Sequence, residues 1–180
     1  MIKTKYVKKY VADIKIHSVM LAVIYVSIAI ALVTLPQAFA TSLNSTREIS
    51  AASVEVWNIV SNVDNETQYW STFKEIKNIK KTDNIVERQV TISAGPQNNT
   101  SHQIVTLHPE QRKILTNLTE GLVTGSRILQ LEPISENKTR VSVLWDIDLS
   151  GIPVIGRGFA ENGIKQATED ALNRIAQATE

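Results

Sequence analysis

Arg88 is the polar residue whose position best suits ligand binding. It lies in a run of β character from Ile85 to Ser93. On a strand it would share one face with the apolar side chains of Val86, Val90 and Ile92. From that face its guanidinium group would bind a ligand carboxylate or phosphate through paired hydrogen bonds. The alternative is an arginine at the rim of the sheet, paired with an acidic side chain on a neighbouring strand.

Other residues that could do chemistry are weaker candidates for a catalytic or metal site. His102 and His108 fall on one predicted strand, about 20 Å apart if it is continuous, which is too far to share a metal ion. Asp146 and Asp148 would lie on the wet face opposite Trp145, where solvation is a simpler interpretation than an acid/base pair. The chain has no cysteine, which excludes thiolate chemistry and disulfides. We therefore predict no catalytic residue, no metal and no cofactor.

The elements that would position Arg88 follow from the spacing of apolar residues. Helical spacing predicts a short helix, Ser53 to Val63, with Ser53 as N-cap, and a long one, Phe159 to Ala178. The glycine-rich segment Gly151 to Gly158 lacks the Lys-Ser/Thr pair of a phosphate loop and is predicted to be a plain loop. Alternation and turn residues predict seven strands: Thr46 to Ser50, Ile76 to Lys80, Ile85 to Ser93, His102 to His108, Lys113 to Thr119, Arg127 to Pro133 and Arg140 to Leu149.

These elements predict an α+β fold, in which a curved antiparallel sheet of about seven strands wraps around a long C-terminal helix. One amphipathic helix cannot cover a flat sheet of this size, so we expect the sheet to curl and leave a space beneath it. The side chains expected to line that space are Trp70, Arg88, Val90, Leu129, Leu131, Val143 and Trp145.

This order of elements resembles the helix-grip fold of the START-like (SRPBCC) superfamily, in particular its polyketide cyclase/dehydrase and lipid-transport branch. The resemblance covers roughly Arg47 to Ala178. It implies a cavity for a hydrophobic small molecule, a lipid or a polyketide. The motifs that carry it are Ile49-Ser50-Ala51-Ala52 before Val56-Trp57, Asn62-Val63-Asp64, Tyr69-Trp70, and Gly151-Ile152-Pro153.

The N-terminal region is typical of a segment that meets a membrane. Eighteen uncharged residues, Ser18 to Leu35, follow a leader with five lysines and one aspartate. They would form a retained anchor or, if the chain is cut after Ala38-Phe39-Ala40, a signal peptide. Either way the rest of the chain lies outside the cytoplasmic membrane. We expect a leader and signal/anchor segment at 1–40, a linker at 41–45 and one domain at 46–180.

The charge and the sequons of the remaining chain agree with this location. From residue 41 onward there are 14 Lys and Arg against 17 Asp and Glu, with no basic cluster, so a nucleic-acid partner is not expected. Six sequons exceed the about two that chance would supply. They are predicted to face solvent, as glycosylation sites or as an unmodified Asn/Thr-rich surface: Asn44, Asn65, Asn98, Asn99, Asn117 and Asn137.

The function that we expect is extracytoplasmic binding or transport of a lipid or another hydrophobic small molecule, without a cofactor. The membrane would be a partner through residues 18–35 if they stay uncleaved. Two alternatives remain. One is a cyclase/dehydratase-type enzyme that uses the same cavity, with Arg88, Glu87 or a histidine polarising a carbonyl. The other is an envelope assembly or interaction module that binds no ligand.

Overall fold

The computed structural model describes residues 40–94 and 97–179. Within these residues no helix is long and apolar enough to cross a membrane, and the predicted signal/anchor segment at 18–35 lies outside them. The helices are α1 (Ser53–Val60) and α2 (Val154–Thr179), with 3-10 helices at Val63–Gln68 and Pro109–Gln111. The strands are β1 (Ala40–Ile49), β2 (Phe73–Thr82), β3 (Ile85–Ala94), β4 (Gln97–His108), β5 (Lys113–Glu120), β6 (Thr124–Ser135) and β7 (Lys138–Asp148).

The seven strands form one antiparallel sheet in the order β1-β7-β6-β5-β4-β3-β2. Strands β2 to β7 are a meander, because each pairs with its neighbour in sequence. Strand β1 instead pairs with β7, the last strand in sequence. The curved sheet and the long C-terminal helix confirm the predicted helix-grip architecture.

The segment 41–45, predicted to be a linker, is part of β1. Thr41 pairs with Ile147, Leu43 with Trp145 and Ser45 with Val143. The prediction was wrong because the segment is polar in sequence, whereas its backbone pairs with the full length of β7. Strand pairing satisfies backbone donors and acceptors whatever the side chains are.

Helix α2 begins at Val154, so most of the predicted glycine-rich loop is helical. The Gly156 amide donates to the Pro153 carbonyl at 2.7 Å, and the restricted backbone of Pro153 suits the entry to a helix. The loop prediction failed because Gly156 and Gly158 weaken a helix, by up to about 1 kcal/mol each, without breaking it.

Helix α1 is shorter than predicted and differs at both ends. It ends at Val60, and its N-cap is Ala52, so Ser53 is its first residue. The Ala52 amide is bound by the Glu55 carboxylate at 3.1 Å. The next element is the 3-10 helix Val63–Gln68, whose Val63 and Glu66 side chains are buried in the core.

The core lies between the sheet and the two helices. Along β7, and from Arg127 to Leu131 in β6, every second side chain is buried, which is the pattern of a sheet with one covered face. Helix α1 contributes Val56 and Val60. The C-terminal half of α2 contributes Thr168, Ala171, Leu172, Ile175 and Ala176.

Candidate functional site

Three charged side chains are buried together inside the fold. Glu66 comes from the Val63–Gln68 3-10 helix, Arg88 from β3 and Arg127 from β6, and none is more than 2% exposed. Both arginines form ion pairs with the one carboxylate. Charged side chains are almost never fully buried unless they are paired, so this cluster is the clearest candidate for a functional site.

Arg88 is held by four hydrogen bonds to three groups, which leave its guanidinium little freedom. It donates to the Val63 carbonyl at 2.8 Å, to the Gln103 side-chain oxygen at 3.0 and 3.2 Å, and to Glu66. It therefore points inward, as its strand parity predicts. It is also paired with an acid, although that acid lies on a 3-10 helix and not on a neighbouring strand. These contacts make Arg88 a positioning residue for Glu66.

The Glu66 carboxylate remains ionised although it is buried. Burial alone would raise the pKa of Glu66, but the guanidinium groups of Arg127 and Arg88 outweigh it, so the pKa lies below its ordinary value. Burial raises the pKa of the adjacent Tyr69, and the Glu66 charge adds to that shift. Tyr69 therefore stays neutral and donates to the Val60 carbonyl at 3.4 Å.

Arg127 lies in an aromatic box. Its guanidinium carbon is 4.5 Å from the ring centre of Trp70, 5.5 Å from that of Trp145 and 5.9 Å from that of Phe73. Such distances give cation–π attraction. One nitrogen, Nη2, donates to Glu66 at 2.6 Å and to Thr116 at 3.2 Å. Burial lowers the pKa of Arg127, and the Glu66 carboxylate opposes that change.

Two buried donors in this box have no hydrogen-bond partner in the described part of the chain. They are Nη1 of Arg127 and Nε1 of Trp70. A buried donor without a partner costs about 1–3 kcal/mol, and more if it is charged. The cluster also holds two guanidinium groups for one carboxylate. Its charge and its free donors therefore suit an oxygen acceptor such as a carboxylate, a phosphate or a carbonyl.

The structure places all seven predicted cavity residues in the buried interior. Arg88 and Val90 lie on β3, Leu129 and Leu131 on β6, Val143 and Trp145 on β7, and Trp70 follows the 3-10 helix. Ligand contact by these residues remains a prediction. The Trp145 indole donates to Thr168 at 3.0 Å, which fixes it against α2.

Sequence reasoning missed Glu66 and Arg127. Arg127 shares strand parity with Leu129 and Leu131, so the test that found Arg88 would also have found it. Glu66 lies three residues from both Val63 and Tyr69, on the buried side of the 3-10 helix. The sequence predicted a polar turn with a second short helix from Asp64 to Trp70, but nothing in that pattern indicated that Glu66 points inward.

The outer face of the sheet carries two shallow grooves. One, of about 320 Å³, is lined by residues that include Ile85, Glu87 and Ile104, and the other, of about 430 Å³, by residues that include Ile128 and Leu144. Both grooves lie on the face of the sheet opposite the charged cluster, because along each strand their residues alternate with the buried ones. The cluster is the better candidate, because among the described residues the fully buried charged side chains all lie there.

The remaining candidates of the sequence also map to the surface. Asp146 is exposed and Asp148 half-buried, on the face opposite Trp145. Among the residues that the structure describes, no group of three or more metal-ligating side chains comes together. Of the predicted sequons, four asparagines are exposed and two are half-buried: Asn44, Asn65, Asn98 and Asn137, and Asn99 and Asn117, respectively.

Solved structures with the same fold share little sequence with this chain. A protein from Thermus thermophilus superposes with a TM-score of 0.69 at 15% identity, covering 77% of this chain and 97% of the other. The Zhui aromatase/cyclase from a Streptomyces species gives 0.70 at 14% identity, covering 77% and 93%. A START superfamily protein from Mycobacterium smegmatis gives 0.59 at 18% identity, covering 76% and 92%. At these identities the likeness establishes the fold alone.

The sequence itself identifies the family. The search of the curated proteins gave no match. The profile of the family described as polyketide cyclase / dehydrase and lipid transport, in contrast, matches residues 40–180, which is the whole part of the chain that carries the sheet and α2. The START-like resemblance is thereby confirmed, and the chain belongs to the polyketide cyclase/dehydrase and lipid transport family.

Proposed function

We propose that this domain binds a hydrophobic molecule with a polar oxygen-bearing end in the interior between the sheet and α2. The observation that carries the proposal is the pair of unpartnered buried donors, Arg127 Nη1 and Trp70 Nε1. An acceptor on the ligand would satisfy both and offset the excess positive charge of the cluster. The apolar remainder would lie against the inner face of β6 and β7.

We further propose that the domain works on the outer side of the cytoplasmic membrane, anchored by residues 18–35 or released after Ala40. The apolar run, the lysine-rich leader and the excess of sequons support this location. A ligand that partitions from the neighbouring bilayer would then be the nearest hydrophobic molecule. Intact mass of the native protein reports both cleavage and attached sugar.

Ligand extraction tests the binding proposal. Residues 40–180 are purified, extracted with organic solvent and examined by mass spectrometry. We expect a bound hydrophobic species with a carboxylate, phosphate or carbonyl oxygen. Arg127→Lys keeps a charge for Glu66 but removes the free donor nitrogen. Losing one charge-assisted hydrogen bond of about 1.5–3 kcal/mol should weaken binding about 10- to 100-fold.

Arg140→Lys is the matched control, because Arg140 forms exposed ion pairs with Glu48 and Glu132 on the outer face. It should retain the ligand as the unchanged protein does. Thermal unfolding of both variants checks that the fold survives. If the unchanged protein yields no bound species, and no fatty acid, phospholipid or polyketide stabilises it, the binding proposal is wrong.

A cyclase/dehydratase activity is the second candidate, favoured by the fold shared with an aromatase/cyclase. In this case Arg127 Nη1 would donate to a substrate carbonyl and stabilise negative charge on its oxygen. The two functions differ in what the domain releases. Incubation with the extracted ligand, followed by mass spectrometry, should return it unchanged from a binding domain. A dehydratase would release it with one water fewer.

A further inference from the structure

One end of the domain exposes large apolar side chains. Val154, Ile155 and Phe159, in the first two turns of α2, are 76%, 89% and 81% exposed, and Leu122 in the β5–β6 turn is 44% exposed. We call these four residues the apolar tip. An exposed apolar cluster of this kind usually marks an interaction site.

The apolar tip lies at the end of the sheet where β1 begins. Asp148, the last residue of β7, pairs with Ala40 of β1 on one side and with Thr124 of β6 on the other. The loop before α2 touches the β5–β6 turn, since a Cβ on Gly151 would lie 2.8 Å from the Leu122 carbonyl oxygen. The first residue of β1, the β5–β6 turn and the start of α2 are therefore neighbours.

Helix α2 runs alongside β1 in the same direction and extends beyond it. The Thr41 hydroxyl donates to Glu161 at 3.1 Å, and Arg47 donates to Asn173 farther along. Val154 precedes Glu161 by seven residues, which is about 10 Å of helix. The first turns of α2 thus project about 10 Å past the level of Thr41.

The sequence that precedes Ala40 indicates what this projection meets. The apolar run ends at Leu35, and the five residues from there to Ala40 can span at most about 18 Å. If this run lies in a bilayer, so short a connection would hold the tip within reach of the bilayer surface. Asp148 and Glu161 flank the tip and are acidic, and the one cation within 154–159, Arg157, donates to the Ile152 carbonyl at 3.0 Å. Attraction to anionic headgroups is therefore not the basis of contact.

We propose that the apolar tip inserts into the bilayer that holds residues 18–35, at the boundary between headgroups and acyl chains. This inference rests on the proposed membrane segment. Apolar side chains on one end of a helix are suited to that boundary. Ile152 and Val123, half-buried against the core next to the tip, would then connect the lipid surface with the interior that binds the ligand.

The absence of cysteine makes a direct test possible. Full-length chains with Ile155→Cys or Phe159→Cys are labelled with an environment-sensitive fluorophore and mixed with phosphatidylcholine vesicles. Asn137→Cys, an exposed position in the β6–β7 turn at the opposite end, is the matched control. We expect a blue shift and quenching by spin-labelled lipid at 155 and 159 but not at 137, and the same shift with anionic lipid added.

Each other outcome overturns the proposal in a distinct way. Labels at 155 and 159 that stay in water on vesicle-bound protein show that the tip does not dock. A blue shift without vesicles that grows with protein concentration shows that the tip docks on a second copy of the protein. A blue shift without vesicles that does not depend on concentration shows that the tip packs against its own chain. Protein that does not float with vesicles refutes the anchor and the docking together, while ligand extraction still tests the binding proposal separately.

Discussion

Glu66 is the residue on which the buried charges depend. It is the common partner of Arg88 and Arg127, so its removal would leave two guanidinium groups without a counter-charge. Breaking a buried ion pair by deleting one partner typically costs about 3–5 kcal/mol, because the other charge stays buried and uncompensated.

We predict that Glu66→Gln lowers the free energy of unfolding at neutral pH by about 3–5 kcal/mol. The pKa of Glu66 in the folded protein lies below its ordinary value of 4.5. Its contribution is therefore complete above about pH 4.5 and is lost as the pH falls through the lower folded value. Urea unfolding from pH 7 down to pH 3 should show the difference between the two proteins shrinking in acid.

Glu48→Gln is the control for this prediction. Glu48 also has two cationic partners, Lys138 and Arg140, but all three are solvent-exposed. Its loss should change the free energy of unfolding far less than the loss of Glu66. Equal effects of the two substitutions would show that burial does not set the strength of the Glu66 cluster.

Strand parity made part of this site predictable from sequence. The alternation around Arg88 places it on the apolar face, and the structure agrees. Its partner could not be predicted, because Glu66 reaches the interior only through the tight turn of a 3-10 helix. That turn depends on tertiary contacts such as the bond from Arg88 to the Val63 carbonyl, which no local pattern in the sequence encodes.

At the scale of elements, α2 has two unlike halves. The C-terminal half is alanine-rich and buried, whereas the N-terminal half holds Gly156, Gly158 and Gly163. A Cβ added at Gly158 or Gly163 would meet nothing within 4 Å. Packing therefore does not require these two glycines, and they leave the projecting half of the helix locally weak.

We predict that Gly158→Ala and Gly163→Ala each raise the free energy of unfolding by about 0.4–1 kcal/mol, since alanine restricts the unfolded chain and fits the open space. Urea unfolding measures the gain. Hydrogen exchange should slow at the amides of the N-terminal half of α2. No gain from either substitution would mean that this half is not helical in solution.

Gly125→Ala is the matched control, with the opposite sign. Gly125 has φ of +119°, and an added Cβ would lie 2.3 Å from the Asp146 carbonyl oxygen. Alanine there is strained by its backbone as well as by contact, so we expect a loss above about 1 kcal/mol. The contrast distinguishes glycines that the fold needs from those it only tolerates.

The difference between residues that the fold needs and residues that it only tolerates also explains which elements the sequence predicts well. Alternation of side chains locates the middle of the strands from β3 to β7, where burial controls the residue type, whereas β2 is mostly exposed. Strand ends extend beyond the predicted bounds because backbone pairing continues where the side chains are polar, as in Thr41 to Ser45. The first residue of α2 could not be predicted for a related reason, because glycine weakens a helix without determining where it begins.

At the scale of the whole molecule, one pairing joins the first strand in sequence to the last. Strands β2 to β7 pair with sequence neighbours, whereas β1 and β7 are separated by about 90 residues. Closing so long a loop is entropically costly and comes late in folding unless other contacts precede it. Leu43, half-buried on β1 opposite Trp145, reports on this step.

We predict that Leu43→Ala speeds unfolding and leaves the refolding rate within about twofold, because its contacts form after the transition state. Ile114→Val, on β5 within the local meander, should instead slow refolding. Stopped-flow measurements in urea give both rates. Slower refolding of the Leu43 variant would show that β1 docks before the meander forms.

The long register of β1 would also have a mechanical consequence under the N-terminal anchor that we propose. Ten residue pairs join β1 to β7, from Ala40 opposite Asp148 to Ile49 opposite Thr139. A pull on Ala40 along the strand axis loads these pairs together in shear, whereas a pull across the strand would open them one after another. Force-induced unfolding is governed by the unfolding rate, so with the proposed N-terminal anchor β1 would resist detachment of the domain under force.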